Sequence, residues 1–384
     1  MPIRVLHWYP NFLGGGAVAN AVLGLALAQA RGGAEVRIAA ADEGGRPMYG
    51  DASDAETFTL PWKPRWRVHV GPLVLRGVPR SLRREVRAFA PDVVHAHAEF
   101  NPDNIWALRL GGRDAVVVLS PQGAFDPGVF RKSRARSKRL YSLVASKALY
   151  ERLTAFHALS PREDEQVRAI APHVSRYVLP QGGGPAALGR SGASPAPTSV
   201  TKLLFVGRLD VFTKGLDLLL QALAGLVRDR IPVHVTLVGP DFRGGRSRLE
   251  TLAAALGVAP AVSFTGALTG GAVALALDDA DCVVLPSRHE GLSLAATEAL
   301  LRGKPLVLSS QTGHASYPEV SGAPSVLAVA PTVAGIELAL RTACARRDEL
   351  RELALRHRPV FAELFSWDRI ARRHLENYEQ LRSA

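Results

Sequence analysis

The sequence predicts two α/β domains of the Rossmann-like kind, each a parallel sheet flanked by helices. Three observations carry this expectation. Apolar runs such as Asp281-Cys282-Val283-Val284-Leu285 are short, β-branched and free of alternation, as strands buried on both faces require. A strand followed by a glycine-bearing turn and an apolar helix occurs near the start and again after residue 200. Between them, Gln181 to Ser199 (QGGGPAALGRSGASPAPTS) has no periodicity and reads as a linker. The expected division is therefore 1–180 for the first domain, 181–199 for the linker, 200–365 for the second domain and 366–384 for a terminal helix. A chain of 384 residues is long enough for two cores.

Composition narrows the class. The chain is 47% hydrophobic, which speaks against overall disorder. Its two cysteines, Cys282 and Cys344, make no disulfide framework and lack metal-ligand spacing, so a reducing, cytoplasmic location is expected. The first residues, MPIRVLHWYP, enter a strand pattern directly, and no apolar run reaches the roughly 18 residues of a membrane span. Net charge is +12, concentrated in two places. Lys63 to Arg87 holds eight basic residues against Glu85, and Arg131 to Arg139 (RKSRARSKR) holds six in nine. A solvated helical face explains such charge. An anionic membrane surface, met peripherally at 131–139, is the next expectation, ahead of nucleic acid, for which no recognised binding motif is present.

In the first half, IRVLHWY (3–9) reads as a strand, Gly14-Gly15-Gly16 as a tight loop and Ala17 to Ala30 as a helix. GGGAVAN is not the full dinucleotide pattern, and no acidic residue follows at the ribose position. Residues 42–80 read as irregular. Asp92-Val93-Val94-His95-Ala96-His97 is a strand that puts His95 and His97 on one face. A metal pair there lacks a carboxylate or cysteine to complete it, so a cleft-lining or hydrogen-bonded histidine is expected. Ala115 to Leu119 is another strand, leading into Ser120-Pro121-Gln122-Gly123. The basic stretch opens a helix to about Arg152, and Ser160-Pro161-Arg162-Glu163 is a capping box.

The second half starts with the strand Thr201 to Val206, the loop Gly207-Arg208-Leu209-Asp210-Val211-Phe212-Thr213-Lys214-Gly215 and a helix with Leu216, Leu219, Leu220, Leu223 and Val227 on one stripe. Arg208 and Lys214 would bring a fork-shaped and a point cation over a helix start, a match for a pyrophosphate. Strands 233–239 and 261–266 follow, with helix 246–256 between them. The stretch PSRHEGLSLAATEALLRGKP (286–305) comes after a buried strand, with Ser293 as N-cap, Leu294 to Leu301 as helix, and Gly303 and Pro305 as stop. A helix start over a strand's carboxyl end binds anions. Glu290 in the turn and Glu298 in the helix frame it. Thr312-Gly313-His314 is a further turn able to meet phosphate, and helices are expected at 334–345, 347–357 and about 369–381.

Glu290 and Glu298, within PSRHEGLSLAATEALLRGKPLVLSS, resemble the E-x7-E signature of the retaining glycosyltransferases of family 4, which have the GT-B fold. GRLDVFTKG is similar to that family's G-R-x-x-x-x-K-G element, and DVVHAH is common there. The resemblance implies two facing Rossmann-like domains with the terminal helix crossing back to the first. It implies a nucleotide-sugar donor held by the second domain through Arg208, Lys214, Glu290, Gly291, Leu292, Ser293, Leu294 and Glu298, with Gly15 and Gly16 approaching its phosphates. Glu298 would take the ribose hydroxyls and Glu290 the transferred sugar, with Glu290, Arg208 and Lys214 as the catalytic group. His97 and Gln122 would lie on the acceptor and sugar side. Many relatives carry histidine or arginine where this chain has Gln122, which can neither act as a general base nor carry charge. No D-x-D motif ends a strand in the donor half, so metal-free, substrate-assisted transfer without a cofactor is expected. The acceptor would be a glycan, a lipid-linked intermediate or a small molecule. A sugar-nucleotide epimerase or a phosphorylase would use the same phosphate grip, and a basic binding module would leave the carboxylates unexplained.

Overall fold

A computed structural model describes residues 1–42, 58–70, 73–126, 147–183, 199–268 and 271–384. The chain forms two compact units, Met1–Gly182 with Ser366–Ala384, and Gly183–Phe365.

Unit 1 is built on a seven-stranded parallel sheet. Its strands are β1 (Arg4–Trp8), β2 (Glu35–Ala41), β3 (Thr59–Trp62), β6 (Val93–His97), β7 (Val116–Ser120), β8 (Ala155–Ala158) and β9 (Ser175–Val178), in the order β3-β2-β1-β6-β7-β8-β9. Helix α1 (Ala17–Arg31) connects β1 to β2, and an antiparallel hairpin of β4 (Arg67–Val70) and β5 (Leu73–Arg76) precedes α2 (Arg80–Phe89). Helices α3 (Asn104–Leu110) and α4 (Pro161–Ile170) complete the connections relevant here. The central strands are buried along their whole length, as their unbroken apolar sequences require. The segment 58–76, read from sequence as irregular, instead supplies β3 and the hairpin. Pro61 is tolerated because β3 is the sheet's edge, where a missing N–H breaks no ladder. The basic stretch 131–139 lies outside the described residues.

Unit 2 holds a six-stranded parallel sheet of β10 (Thr201–Val206), β11 (Val233–Val238), β12 (Val262–Gly266), β13 (Cys282–Leu285), β14 (Leu306–Ser309) and β15 (Val326–Val329). Its order, β12-β11-β10-β13-β14-β15, is the doubly wound one, with the direction of winding reversing between β10 and β13. The main helices are α5 (Leu216–Arg228), α6 (Gly245–Ala255), α7 (Gly271–Asp279), α8 (Leu294–Leu301), α9 (Val333–Ala345) and α10 (Arg347–Leu364). Helix α10 continues past Pro359, where the sequence suggested a stop. Buried Leu350, Ala354 and Phe361 hold it on both sides of the proline, and Arg358 Nε donates to the Leu301 carbonyl at 2.8 Å.

The terminal helix α11 (Trp367–Ser383) returns to unit 1. Ile370 and Ala371 pack with Leu25 and Ala28 of α1, and Trp367 fills the space left by Gly24 and Gly182. Arg382 pairs with Asp92 at 3.3 Å. No described helix is long and apolar enough to cross a membrane.

Candidate functional site

In a doubly wound sheet, ligands bind outside the strand carboxyl ends where the winding reverses. In unit 2 that point receives the loop after β10 (207–215) and the loop after β13 (286–293), the two segments singled out from sequence. They meet closely: Gly215 has φ +66°, and a Cβ there would lie 2.2 Å from the Pro286 carbonyl oxygen. This contact brings Lys214 Nζ into an ion pair with Glu290 Oε2, both side chains being about five-sixths buried at 16% and 15% exposure. Ser287 Oγ donates to the same carboxylate oxygen at 3.1 Å.

Arg288 ties the two loops together. Its guanidinium donates to both oxygens of Asp217 at 2.7 and 2.8 Å and to the Phe212 carbonyl at 2.9 Å, and it lies over the Phe212 ring. Its backbone N–H donates to the Thr213 carbonyl at 3.0 Å. Arg208 is half-exposed and sits with its guanidinium carbon 4.3 Å from the Phe242 ring centre, while Asp210 lies 3.9 Å away. Arg208 and Lys214 thus share one loop but have different supports.

Ser293 takes the N-cap position of α8 with extended backbone angles, but its side chain makes no capping hydrogen bond. Below it, His314 is fully buried and its pKa is drawn down to about 3 by desolvation, so the ring is neutral. Its Nδ1 accepts from the Ser293 N–H at 3.4 Å, which leaves Nε2–H to donate to Thr297 Oγ1 at 3.0 Å. His314, expected as a phosphate-side turn residue, is a bracket under the helix start. Gly313 N–H donates to the carbonyls of Gly291 and Glu290, which fixes Glu290, Gly291 and Leu292 against the turn after β14. Glu298 is half-buried one turn into α8, and desolvation raises its pKa, opposed by Arg302. Leu294 is half-buried at the first helical position.

In unit 1 the reversal falls between β1 and β6. Gly15 (φ 69°) and Gly16 (φ 94°) follow β1, and Gly16 caps α1 without any side chain. The space around Gly16 is open, so glycine is required there by conformation. Gln122 also has a left-handed backbone, φ 61°. The next residue, Gly123, donates its N–H to Glu163 Oε1 at 2.5 Å, and Glu163 Oε2 accepts from Leu159 N at 2.7 Å. The capping box is therefore half-formed. Ser160 accepts from Glu163 N, but the glutamate is diverted to hold the Gln122 turn.

His97 is 2% exposed and lies in the interior of unit 1, not on a surface of it. It ends a series of buried hydrogen bonds that run in one direction. His157 Nε2 faces the Leu179 carbonyl, so it donates; burial lowers its pKa to about 4, and Nδ1 of the neutral ring accepts from Ser120 Oγ. Ser120 then accepts from His95 Nε2, and His95 Nδ1 accepts from Tyr378 Oη, each at 2.7 Å. Tyr378 accepts from Gln29, whose carbonyl accepts from His7 Nε2 at 2.8 Å. His7 Nδ1, in a ring also lowered to about 4, accepts from His97 Nε2 at 3.0 Å. Burial keeps the four imidazoles of this series, His7, His95, His97 and His157, neutral, and the hydrogen bonds give each one tautomer. His7, His95 and His97 are close enough to share a metal ion, but most of their ring nitrogens are committed to this series. His95 and His97 stand out in the sequence by strand periodicity; His7, Gln29, His157 and Tyr378 carry no such signal. Arg288, Asp217 and Glu163 were missed as positioning groups, with only spacing along the chain to go on.

Fold and site together define a two-unit Rossmann-like protein of the GT-B architecture, with a helix start lacking a side-chain cap at the switch point of unit 2. A glycosyl transferases group 1 model matches residues 200–342 and a glycosyl transferase 4-like domain model matches 16–182. The chain belongs to this glycosyltransferase family. It is 36% identical over 183 residues to a D-inositol 3-phosphate glycosyltransferase of Gordonia bronchialis, covering 46% of this chain and 39% of that one. It is 27% identical over 309 residues to a glycogen synthase of Mycobacterium tuberculosis, covering 80% and 73%. The chain thus spans about two fifths of the length of the first of these relatives. Its fold matches a sucrose-phosphate synthase of Thermosynechococcus elongatus with TM-score 0.75 at 21% identity, over 99% of both chains.

Proposed function

We propose that the chain transfers a sugar from a nucleoside diphosphate donor to an acceptor hydroxyl, with retention of configuration and without a metal cofactor. The observation that carries this reading is the Lys214–Glu290 pair, held beside the uncapped start of α8 at the point where the sheet's winding reverses. A cation, an acid and free N–H groups in one place suit a ligand with phosphates in its middle and hydroxyls at its ends. Lys214, Arg208 and the α8 N–H groups stabilise the charge that grows on the departing diphosphate. Glu290 orients the sugar being transferred, and Glu298 takes the ribose. The donor's own phosphate accepts the acceptor proton. The acceptor is a glycan, a lipid-linked intermediate or a small molecule of the cytoplasm, with polysaccharide or glycoconjugate synthesis as the context.

The test is a thermal-shift screen against UDP, GDP, ADP and TDP, followed by sugar release from the stabilising donor with and without acceptor and chelator. Stabilisation by one nucleotide and acceptor-dependent turnover that survives chelation support the reading. Turnover without acceptor indicates an epimerase, and turnover needing inorganic phosphate indicates a phosphorylase. The absence of both stabilisation and turnover would refute it.

A further inference from the structure

The surface of unit 1 around β4, β5 and α2 carries charge that the donor chemistry does not use. Within the sequence stretch 63–87, Lys63, Arg65, Arg67, Arg80, Arg83, Arg84 and Arg87 are all exposed, and Glu85 is the one acid of that stretch. The eighth basic residue of this stretch, Arg76, is removed from the surface by its buried ion pair with Asp103 at 2.6 Å. Helix α2 presents Leu82 and Val86 to the core and its arginines to solvent, so one face is held and the other is free.

Aromatic groups sit within this field. Trp66, immediately before β4, is 45% exposed, and Val68 within the strand is 49% exposed. The Trp66 ring lies flat on Gly77, where a Cβ would come within 2.4 Å of it, so the indole is anchored just before α2 begins. Trp106 continues the surface, donating Nε1–H to the Arg76 carbonyl at 2.8 Å, with the guanidinium carbons of Arg83 and Arg109 at 5.2 and 5.9 Å from its ring centre. Its helix neighbour Ile105 is 41% exposed.

We infer that this hairpin-and-helix face docks on a membrane surface rich in anionic phospholipid. Arginines spaced over a helix face follow a plane of negative headgroups, and an anchored, amphipathic indole suits the boundary between headgroup and acyl chain. A nucleic acid duplex would meet the same charge, but Trp66 and Val68 would then stay in water with nothing apolar to cover them. The inference rests on unit 1 alone and is independent of which donor unit 2 holds.

The experiment is co-sedimentation of the full chain with vesicles of phosphatidylcholine alone and with 30% phosphatidylglycerol, at low and at about 0.5 M salt. Binding is expected to the anionic vesicles only, to weaken with salt, and to fall more than tenfold in the double variant Arg84→Glu, Arg87→Glu, at roughly fivefold or more per reversed charge. Trp66→Ser is expected to lower binding several-fold with less dependence on salt. Unchanged thermal unfolding of both variants shows that they are folded. Equal binding to neutral vesicles, no loss in the variants, or tighter binding to a 20-base-pair duplex than to the vesicles would overturn the inference.

Discussion

Arg288 grips Asp217 with two guanidinium nitrogens, at 2.7 and 2.8 Å, across the contact between the loop after β13 and the start of α5. The same side chain holds the Phe212 carbonyl, two residues from Lys214, while its own position lies two residues from Glu290. Arg288 is therefore a positioning residue for the Lys214–Glu290 pair. Arg288→Ala should reduce kcat/KM on the order of 10²-fold through misplacement of that pair. Arg288→Lys should restore little of it, because an ammonium cannot hold both carboxylate oxygens and the carbonyl together. Steady-state rates for the two variants, with nucleotide binding followed separately, check this.

Lys214 and Glu290 should behave as a unit. Each single alanine variant is expected to lose on the order of 10² to 10³ in turnover, the scale for removing one charge-stabilising group. The double variant should lose little more than the worse single one, since either change already leaves its partner unpaired. Full activity of either single variant would contradict the roles given to them.

Phe242 provides the face on which the Arg208 guanidinium rests. An exposed cation–π contact contributes about 0.5–1 kcal/mol, so Phe242→Leu should weaken donor binding about two- to fivefold, while Phe242→Tyr should not. Comparison of KM with kcat distinguishes this from a general loss of fold.

The buried histidines of unit 1 predict loss of stability in mild acid. Burial holds His7 and His157 near 4, with His95, His97 and His374 also well below the ordinary value, so the unfolded chain binds protons first. Their contribution is fully present above about pH 6.5 and is lost as pH falls from there toward 4, by about 1.4 kcal/mol per pH unit for each titrating group. Melting temperature measured from pH 8 to pH 4.5 should fall steeply below 6.5. Tyr378→Phe removes the donor to His95 and should cost about 1–3 kcal/mol at pH 7.5.

The strand–turn–helix at 282–301 was legible because its signals are local: an unbroken apolar run, a serine at the helix start and a glycine after its end. The same holds for the β10 loop. Strand β8 was missed because AFHA is four residues long and has no glycine or proline beside it. The hairpin within 58–76 was hidden by its prolines and tryptophans, which an edge and an exposed ribbon both accept. The Arg288–Asp217 grip and the histidine chain could not be read at all, since their partners meet only through the crossovers of the sheet. His97 ends its strand facing the same way as His95, but strand periodicity does not say what covers that face. Here it is α1 and α11 that cover it, through Gln29 and Tyr378.

The return of α11 has a consequence for how the molecule is made. Tyr378 and His374 are interior groups of unit 1, yet they are translated after every residue of unit 2. A nascent chain on the ribosome can complete the later unit while the earlier one still waits for its last helix. Removal of α11 would therefore injure the half that was synthesised first.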